Sequence, residues 1–205
     1  MQAAALASTT GDAVGAFDTD ADPAERSGRP AAEARLRLQW GEEGRQSEIG
    51  CGGHASWIAT NDTDFVQSDA VACDARIIVG PIEARGEGYR GHALRGLGGG
   101  GVSQNLNKDG GPLTDTGFWG QLSIEVNPVL RFGGGCGADK PDEATLPSTA
   151  RLHNQSCSGY TIIHPGGPIF IGGEFRRLET RYNSGPDTST TYANNHINVS
   201  IGFEF

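Results

Sequence analysis

The chain has 205 residues, of which 32 are glycine, and only 36% of its residues are hydrophobic while 20% are charged. This length is enough for one domain of ordinary size. No stretch contains the roughly 18 consecutive apolar residues that a transmembrane helix needs. A formal net charge of −9 argues against a nucleic-acid partner, which would require clustered Lys and Arg. The low hydrophobicity fits either a soluble protein or a membrane β-barrel, in which only every second side chain contacts lipid.

Residues 1–32 differ in composition from the rest of the chain. They are rich in Ala, Asp and Gly and contain Pro23 and Pro30. The sequence therefore predicts a loop or disordered segment over residues 1–32, followed by one β-domain over residues 33–205.

From Ala34 onward, apolar and polar residues alternate with period two, the pattern of a β-strand with one apolar face. The last segment is the sharpest, because its apolar residues share one face over ten residues, enough to cross an apolar band of about 25 Å at a tilt of about 40°. Nine segments show the alternation, near residues 34–40, 48–57, 71–79, 82–87, 121–126, 130–136, 157–163, 169–176 and 196–205.

Short turns and longer polar connections alternate along this series. Short turns at one end and long loops at the other are typical of an outer-membrane barrel, with the short turns periplasmic. The sequence therefore predicts an all-β antiparallel transmembrane β-barrel with about nine to ten visible strands. Because bacterial single-chain barrels have even strand numbers, we expect an incomplete barrel or an unseen strand within residues 1–32. The tight turns are Gly80-Pro81, Asn127-Pro128 and 165–168, and the long connections lie near 94–116, 138–149 and 184–191.

The terminal strand resembles the β-signal of bacterial outer-membrane proteins, which the barrel-insertion machinery reads. Its apolar residues are Ile197, Val199, Ile201, Phe203 and Phe205. Further stretches resemble the C-terminal half of porin-like outer-membrane proteins, and the resemblance extends over roughly residues 33–205. These stretches are Gly96–Val102, Arg151–Asn154, Gly167–Tyr182 and Ala193–Phe205.

The resemblance implies a location in the bacterial outer membrane, contact with its lipid, and insertion through the C-terminal strand. Such proteins carry a signal peptide. Residues 1–10 contain no Lys or Arg and no long apolar core, so no signal peptide is visible. We expect that the signal was lost or that Met1 is an internal start of a longer chain.

The polar face of the predicted strands carries cationic and anionic side chains together. On a barrel they would line the lumen, where mixed charge sets the selectivity of a water-filled pore. Alternatively, they pair with one another in a closed interior or form the solvated face of a soluble sheet. The lumen-lining candidates are Arg35, Arg37, Glu48, His54, Asp74, Arg76, Glu83, Arg85, Glu87, Glu125, Arg131, Glu174 and Arg176.

Four cysteines fall opposite one another in the predicted register. Cys51 and Cys73 flank a hairpin centred near Asp62, and Cys136 and Cys157 flank a loop near residue 146. Either two cross-strand disulfides form in an oxidising periplasm, or the four residues remain small lipid-facing thiols.

No motif indicates an enzyme. Gly96-x-Gly98-x-x-Gly101 matches the dinucleotide fingerprint, but no buried strand precedes it and no helix follows it, so a surface loop is the better interpretation. The five histidines are spread over different segments, without a metal-ligand or Ser-His-Asp spacing. We therefore expect no cofactor, no metal and no catalysis.

Two main hypotheses follow from the sequence. The first is a porin-like outer-membrane protein that allows passive diffusion of small polar solutes. The second is a soluble or surface-attached all-β binding module. Such a module would not expose around its perimeter the apolar residues Leu36, Trp40, Trp57, Phe175, Phe203 and Phe205. A third alternative is an inactive fragment of a barrel gene.

Overall fold

A computed structural model describes residues 1–6, 21–61, 64–97, 104–146, 149–185 and 188–203 of the protein. Ten strands form one antiparallel sheet in chain order, each pairing with the next. In these residues β1 and β10 are the two edges, and the sheet is not closed. The strands are β1 (Gln2–Leu6), β2 (Ala31–Trp40), β3 (Ser47–Ala59), β4 (Phe65–Val79), β5 (Ile82–His92), β6 (Thr114–Asn127), β7 (Leu130–Pro141), β8 (Arg151–Gly166), β9 (Ile169–Gly185) and β10 (Thr188–Phe203).

The prediction of an all-β antiparallel sheet with nine to ten strands is confirmed. The connections contain a four-residue helix, α1 (Pro23–Arg26), and two 3-10 turns, Leu94–Leu97 and Glu143–Thr145. No helix in the described ranges has the length and apolar character needed to cross a membrane.

The sequence predicts a loop or disordered segment over residues 1–32, with an unseen strand as an alternative, and these residues contain strand β1, the short helix α1 and the start of β2. Residues 7–20 lie outside the described part of the chain. Strand β1 reads Gln-Ala-Ala-Ala-Leu, which has no alternation that a period-two test could detect, yet it pairs with β2. Helix α1 begins with a capping box, in which Asp22 accepts from backbone N–H groups and Glu25 accepts from the Asp22 N–H.

The expected long connection near residues 184–191 is corrected, because β9 continues to Gly185 and β10 begins at Thr188. These strand ends are polar and show no apolar alternation, so the sequence made them look like a loop.

The two faces of the sheet differ in chemistry and in exposure. On what we call the outer face, Leu36, Leu122 and Ile197 are 64%, 57% and 79% exposed. On the opposite, inner face, the charged side chains of Glu48 and Asp74 are only 20% and 27% exposed. A soluble sheet packs its apolar face into a core, so this arrangement is the reverse of the one expected in water.

Buried apolar residues are concentrated at the end of the sheet that carries the long connections. None of those among the described residues lies in the middle of a strand, so the sheet has no second layer packed against its apolar face. They are Ala24, Ala31, Ile58, Ala59, Ala93, Leu94, Leu113, Leu146, Ala150 and Leu152.

The short turns step regularly along the sheet. The register from strand to strand places the turn of each hairpin two residues further along the strand direction than the turn of the hairpin before it. Because each hairpin adds two strands, the shift is one residue per strand. A shift of about 3.3 Å along the strand for every ~4.8 Å across it corresponds to a tilt of about 35°, the tilt of strands in closed barrels. The hairpins end at Trp40–Ser47, Val79–Ile82, Asn127–Leu130 and Gly166–Ile169.

The loop-side limit of the apolar outer face follows the same slope. Across β4 to β10, the outer-face position at which polar side chains begin moves six residues in register, again one residue per strand. In the described residues of these strands, Thr161 on β8 is the one polar outer-face residue between this limit and the short turns. The band between this limit and the short turns is therefore of constant height, about 25 Å, which matches the apolar band of an outer-membrane barrel. The limit is formed by Asp69, Arg90, Thr116, Lys140, Gln155, Arg177 and Asn195.

The four cysteines lie within this band as two disulfides. Cys51 joins Cys73, and Cys136 joins Cys157, each between directly opposite residues whose Cα atoms are 4.1 Å apart. Each bridge ties two neighbouring strands together on the outer face.

The band predicts that a charge destabilises the protein far more at an outer-face position than at the adjacent inner-face position. Val199 is 76% exposed in the middle of the band on β10, whereas its neighbour Ser200 lies on the inner face. Val199→Arg should lower the free energy of unfolding by about 2–4 kcal/mol, because the guanidinium would lie in lipid. Ser200→Arg should change it by no more than about 1 kcal/mol. Urea unfolding of protein refolded in lipid vesicles measures both, and equal effects would contradict the assignment of faces.

Candidate functional site

The inner face brings the sequence-predicted charged residues together. All thirteen lumen-lining candidates lie on it, because their positions share one parity through the register of β2 to β9. The apolar residues of the proposed insertion signal lie on the outer face of β10, except that Phe205 lies outside the described residues. A lumen needs a closed barrel, so lumen lining stays a prediction.

Ion pairs join the charged residues within strands and between strands, and the Arg35–Asp74 pair reaches from β2 across β3 to β4. The Arg35 guanidinium lies 2.6 Å from Asp74 and 3.4 Å from Glu48, and Arg37 lies 3.5 Å from Glu48. A second group joins Arg76, 2.9 Å from Glu83, with Arg85 on the other oxygen of the same carboxylate.

The pairing continues on the far strands. Arg131 lies 3.1 Å from Glu125, and Arg176 lies 3.0 Å from Glu174. His54 is held between Glu33, at 2.9 Å, and the Ser56 hydroxyl, at 2.8 Å. Partly exposed pairs of this kind add little stability individually, so their main effect is on the field in front of the wall.

The inner face carries an excess of negative charge. The thirteen candidates include six arginines and six carboxylates, and two carboxylates that the sequence analysis missed, Glu33 and Asp139, lie on the same face. Extending the period-two pattern one step before Arg35, and along β7 from Arg131, would have found both. The Glu87 carboxylate, one of the six among the candidates, forms no hydrogen bond or ion pair within the described chain.

Tyrosines cross over glycines on the inner face. The Tyr89 ring extends from β5 over Gly117 on β6, and its hydroxyl donates to Asp139 on β7. The Tyr160 ring extends from β8 over Gly133, and its hydroxyl accepts from the Gln121 amide at 2.7 Å. Because a Cβ on either glycine would overlap with the ring, the rings lie flat against the wall only where the side chain is absent. These contacts explain part of the high glycine content.

These contacts predict a stability difference between two glycines. Gly133→Ala should lower the free energy of unfolding by about 1–3 kcal/mol, because Tyr160 would have to leave the wall. Gly173→Ala is the control, since nothing lies within 4 Å of an added Cβ there. It should change the free energy of unfolding by less than about 0.5 kcal/mol. Denaturant unfolding in detergent micelles compares the two, and a Gly173→Ala effect as large as that of Gly133→Ala would refute the argument.

Asp115 is a buried carboxylate on the loop side of Thr116, outside the apolar band. It is 3% exposed, and its Oδ2 atom has no hydrogen-bond partner within the described ranges. Its Oδ1 atom accepts from the Thr116 backbone N–H at 2.8 Å. Burial, together with the nearby charge of Asp139, raises the pKa of Asp115 to about 6.

This raised pKa predicts a pH dependence. The folded protein holds the Asp115 proton more tightly than the unfolded chain, so the free energy of unfolding should fall as the pH rises from about 4 to about 6. A single group contributes at most about 1.4 kcal/mol per pH unit. Asp115→Asn should remove this contribution, and the difference between the two unfolding curves isolates it from other carboxylates. Parallel pH profiles for the two proteins would count against the buried carboxyl.

Metal binding has no geometric support in the part of the chain that the structure describes. No group of three or more His, Cys, Asp or Glu residues is placed there to hold an ion.

The fold is similar to that of a known membrane protein. No protein-family model matches the sequence, and no curated protein sequence matches it. The crystal structure of the outer membrane channel DcaP of Acinetobacter baumannii resembles this structure with a TM-score of 0.68 and 18% sequence identity. The match covers 86% of this chain and 52% of DcaP, so the chain spans about half the length of that protein. At this identity the likeness shows the fold.

Proposed function

We propose that this chain forms the wall of a porin-like channel in the bacterial outer membrane, through which small polar solutes diffuse passively. One observation carries the proposal: an apolar outer band about 25 Å high stands back to back with a charged inner face. Lipid suits the first surface and water the second. The likeness to the channel DcaP supports the same function.

The proposal requires that the sheet edges be paired in the membrane. Unpaired backbone N–H and C=O groups are too costly in lipid for an open edge to persist there. Strands β1 and β10 run in opposite directions, because ten strands follow one another in antiparallel order. Each edge can therefore join the other, or further strands, with antiparallel pairing throughout. Exposed Ile197, Val199, Ile201 and Phe203 on β10 suit recognition by the insertion machinery, which is part of the same proposal.

A gel-shift measurement tests closure. The full chain, purified in detergent with disulfides intact, should migrate faster before boiling than after it, because a closed barrel resists the denaturing detergent. Identical bands, with full solubility in the absence of detergent and a folded β spectrum, would contradict the proposal and favour a soluble binding module.

Conductance in planar bilayers tests the channel itself. The excess of carboxylates on the inner face predicts a preference for K⁺ over Cl⁻, read from the reversal potential in a salt gradient. Asp74→Asn removes one partner of Arg35, so it should reduce the K⁺/Cl⁻ permeability ratio roughly twofold. The control, Asp69→Asn, removes the same charge from the outer face at the loop end, where it should have little effect. Absence of conductance from a heat-modifiable sample would refute the channel.

A further inference from the structure

A cavity of about 970 Å³ lies along the loop-side half of the sheet, and the polar side chains that line it come from the inner face. This volume is in the range of small-molecule sites. The cavity is bounded by residues of β1 to β8 and by Leu94 of the 3-10 turn that follows β5. Its polar lining includes Glu33, Arg35, Glu87, Tyr89, Trp119 and Asp139.

The charge of this lining is negative. The Arg35 guanidinium is already paired with Asp74 and Glu48, neither of which lines the cavity. Glu33 is paired with His54, whereas the Glu87 carboxylate has no ion-pair or hydrogen-bond partner in the described residues. Asp139 adds a third carboxylate, oriented by the Tyr89 hydroxyl. Glu87 is therefore the carboxylate of this lining that a cationic ligand meets with no ion-pair partner among the described residues.

An aromatic surface lies beside the unpaired carboxylate. Trp119 is directly opposite Glu87 across the β5–β6 ladder, and it remains 42% exposed. On its other side the opposite residue is Gly137, where an added Cβ would lie 3.0 Å from the Trp119 Cβ. A carboxylate and an indole face side by side are the two groups that recognise an organic cation, one by charge and the other by cation–π attraction.

We infer that this cavity is a binding site for small organic cations, in which an ammonium or guanidinium group contacts Glu87 and stacks on Trp119. The inference deepens the proposed channel function, because the site would lie on the path of the solute. The proposed channel function specifies only the passive diffusion of small polar solutes. The site adds the chemical class of solute that binds to the channel wall, small organic cations.

The test measures binding rather than transport, so failure of the site and failure of the channel can be told apart. The full chain in uncharged detergent is titrated by ligand-observed NMR with agmatine, 4-aminobutyrate and succinate, which share a four-carbon chain and differ in charge. Agmatine should bind at least about tenfold more tightly than succinate, with 4-aminobutyrate between them. Micelles without protein correct for partition into detergent.

Two variants locate the site, and one controls for net charge. Glu87→Gln should weaken agmatine binding about fivefold, as expected for loss of one partly exposed ion pair, and Trp119→Phe should weaken it by a smaller factor. Glu174→Gln removes the same charge from β9, outside the cavity, and should leave agmatine binding unchanged.

Two results would overturn the inference. One is absence of agmatine binding, or binding of succinate with equal affinity. The other is an equal loss on Glu87→Gln and Glu174→Gln, which would mean that agmatine responds only to the overall charge of the wall. Conductance without agmatine binding would refute the binding site and be consistent with the channel. Agmatine binding without conductance would refute the channel and be consistent with the binding site.

Discussion

In the outer membrane that we propose as its location, the structure depends on the need to hydrogen-bond every backbone amide where no water is present. An antiparallel sheet in chain order meets this need for each strand with two neighbours, and leaves only β1 and β10 with an open side. Strands of 16 and 17 residues, as in β8 and β9, are longer than the 9–11 residues that cross a bilayer. Their additional length carries the pairing beyond the apolar band, towards the long connections.

Once the backbone is arranged this way, the period of two places alternate side chains on the outer face and on the inner face. The shift of one residue per strand keeps the apolar band at a constant height although the strands are tilted. Both limits of the band, the short turns and the first polar residues on the loop side, follow this shift. On the inner face, neighbouring side chains crowd one another, as Tyr89 over Gly117 and Tyr160 over Gly133 show. Glycine there is a packing requirement for the bulky residue opposite.

Much of this could be predicted from sequence, because alternation is a local property. The apolar set from Ile197 to Phe203 and the charged set from Arg35 to Arg176 share faces as their spacing implies. Strand β1 could not be predicted, since a run of alanines carries no alternation and only pairing with β2 makes it a strand. The polar ends of β9 and β10 were missed for the same reason. The tyrosine–glycine contacts and the group around Glu87 and Trp119 depend on cross-strand register, which spacing along the chain does not fix.

The central claim is that one face of the sheet meets lipid and the other meets water. Spin labels on cysteines introduced one at a time from Ile197 to Ile201 test it directly, because all four native cysteines are in disulfides. In protein refolded into lipid vesicles, the account predicts that labels at 197, 199 and 201 collide with oxygen dissolved in the bilayer. Labels at 198 and 200 should collide instead with a water-soluble nickel complex. Equal access of the nickel complex to all five positions would contradict the account.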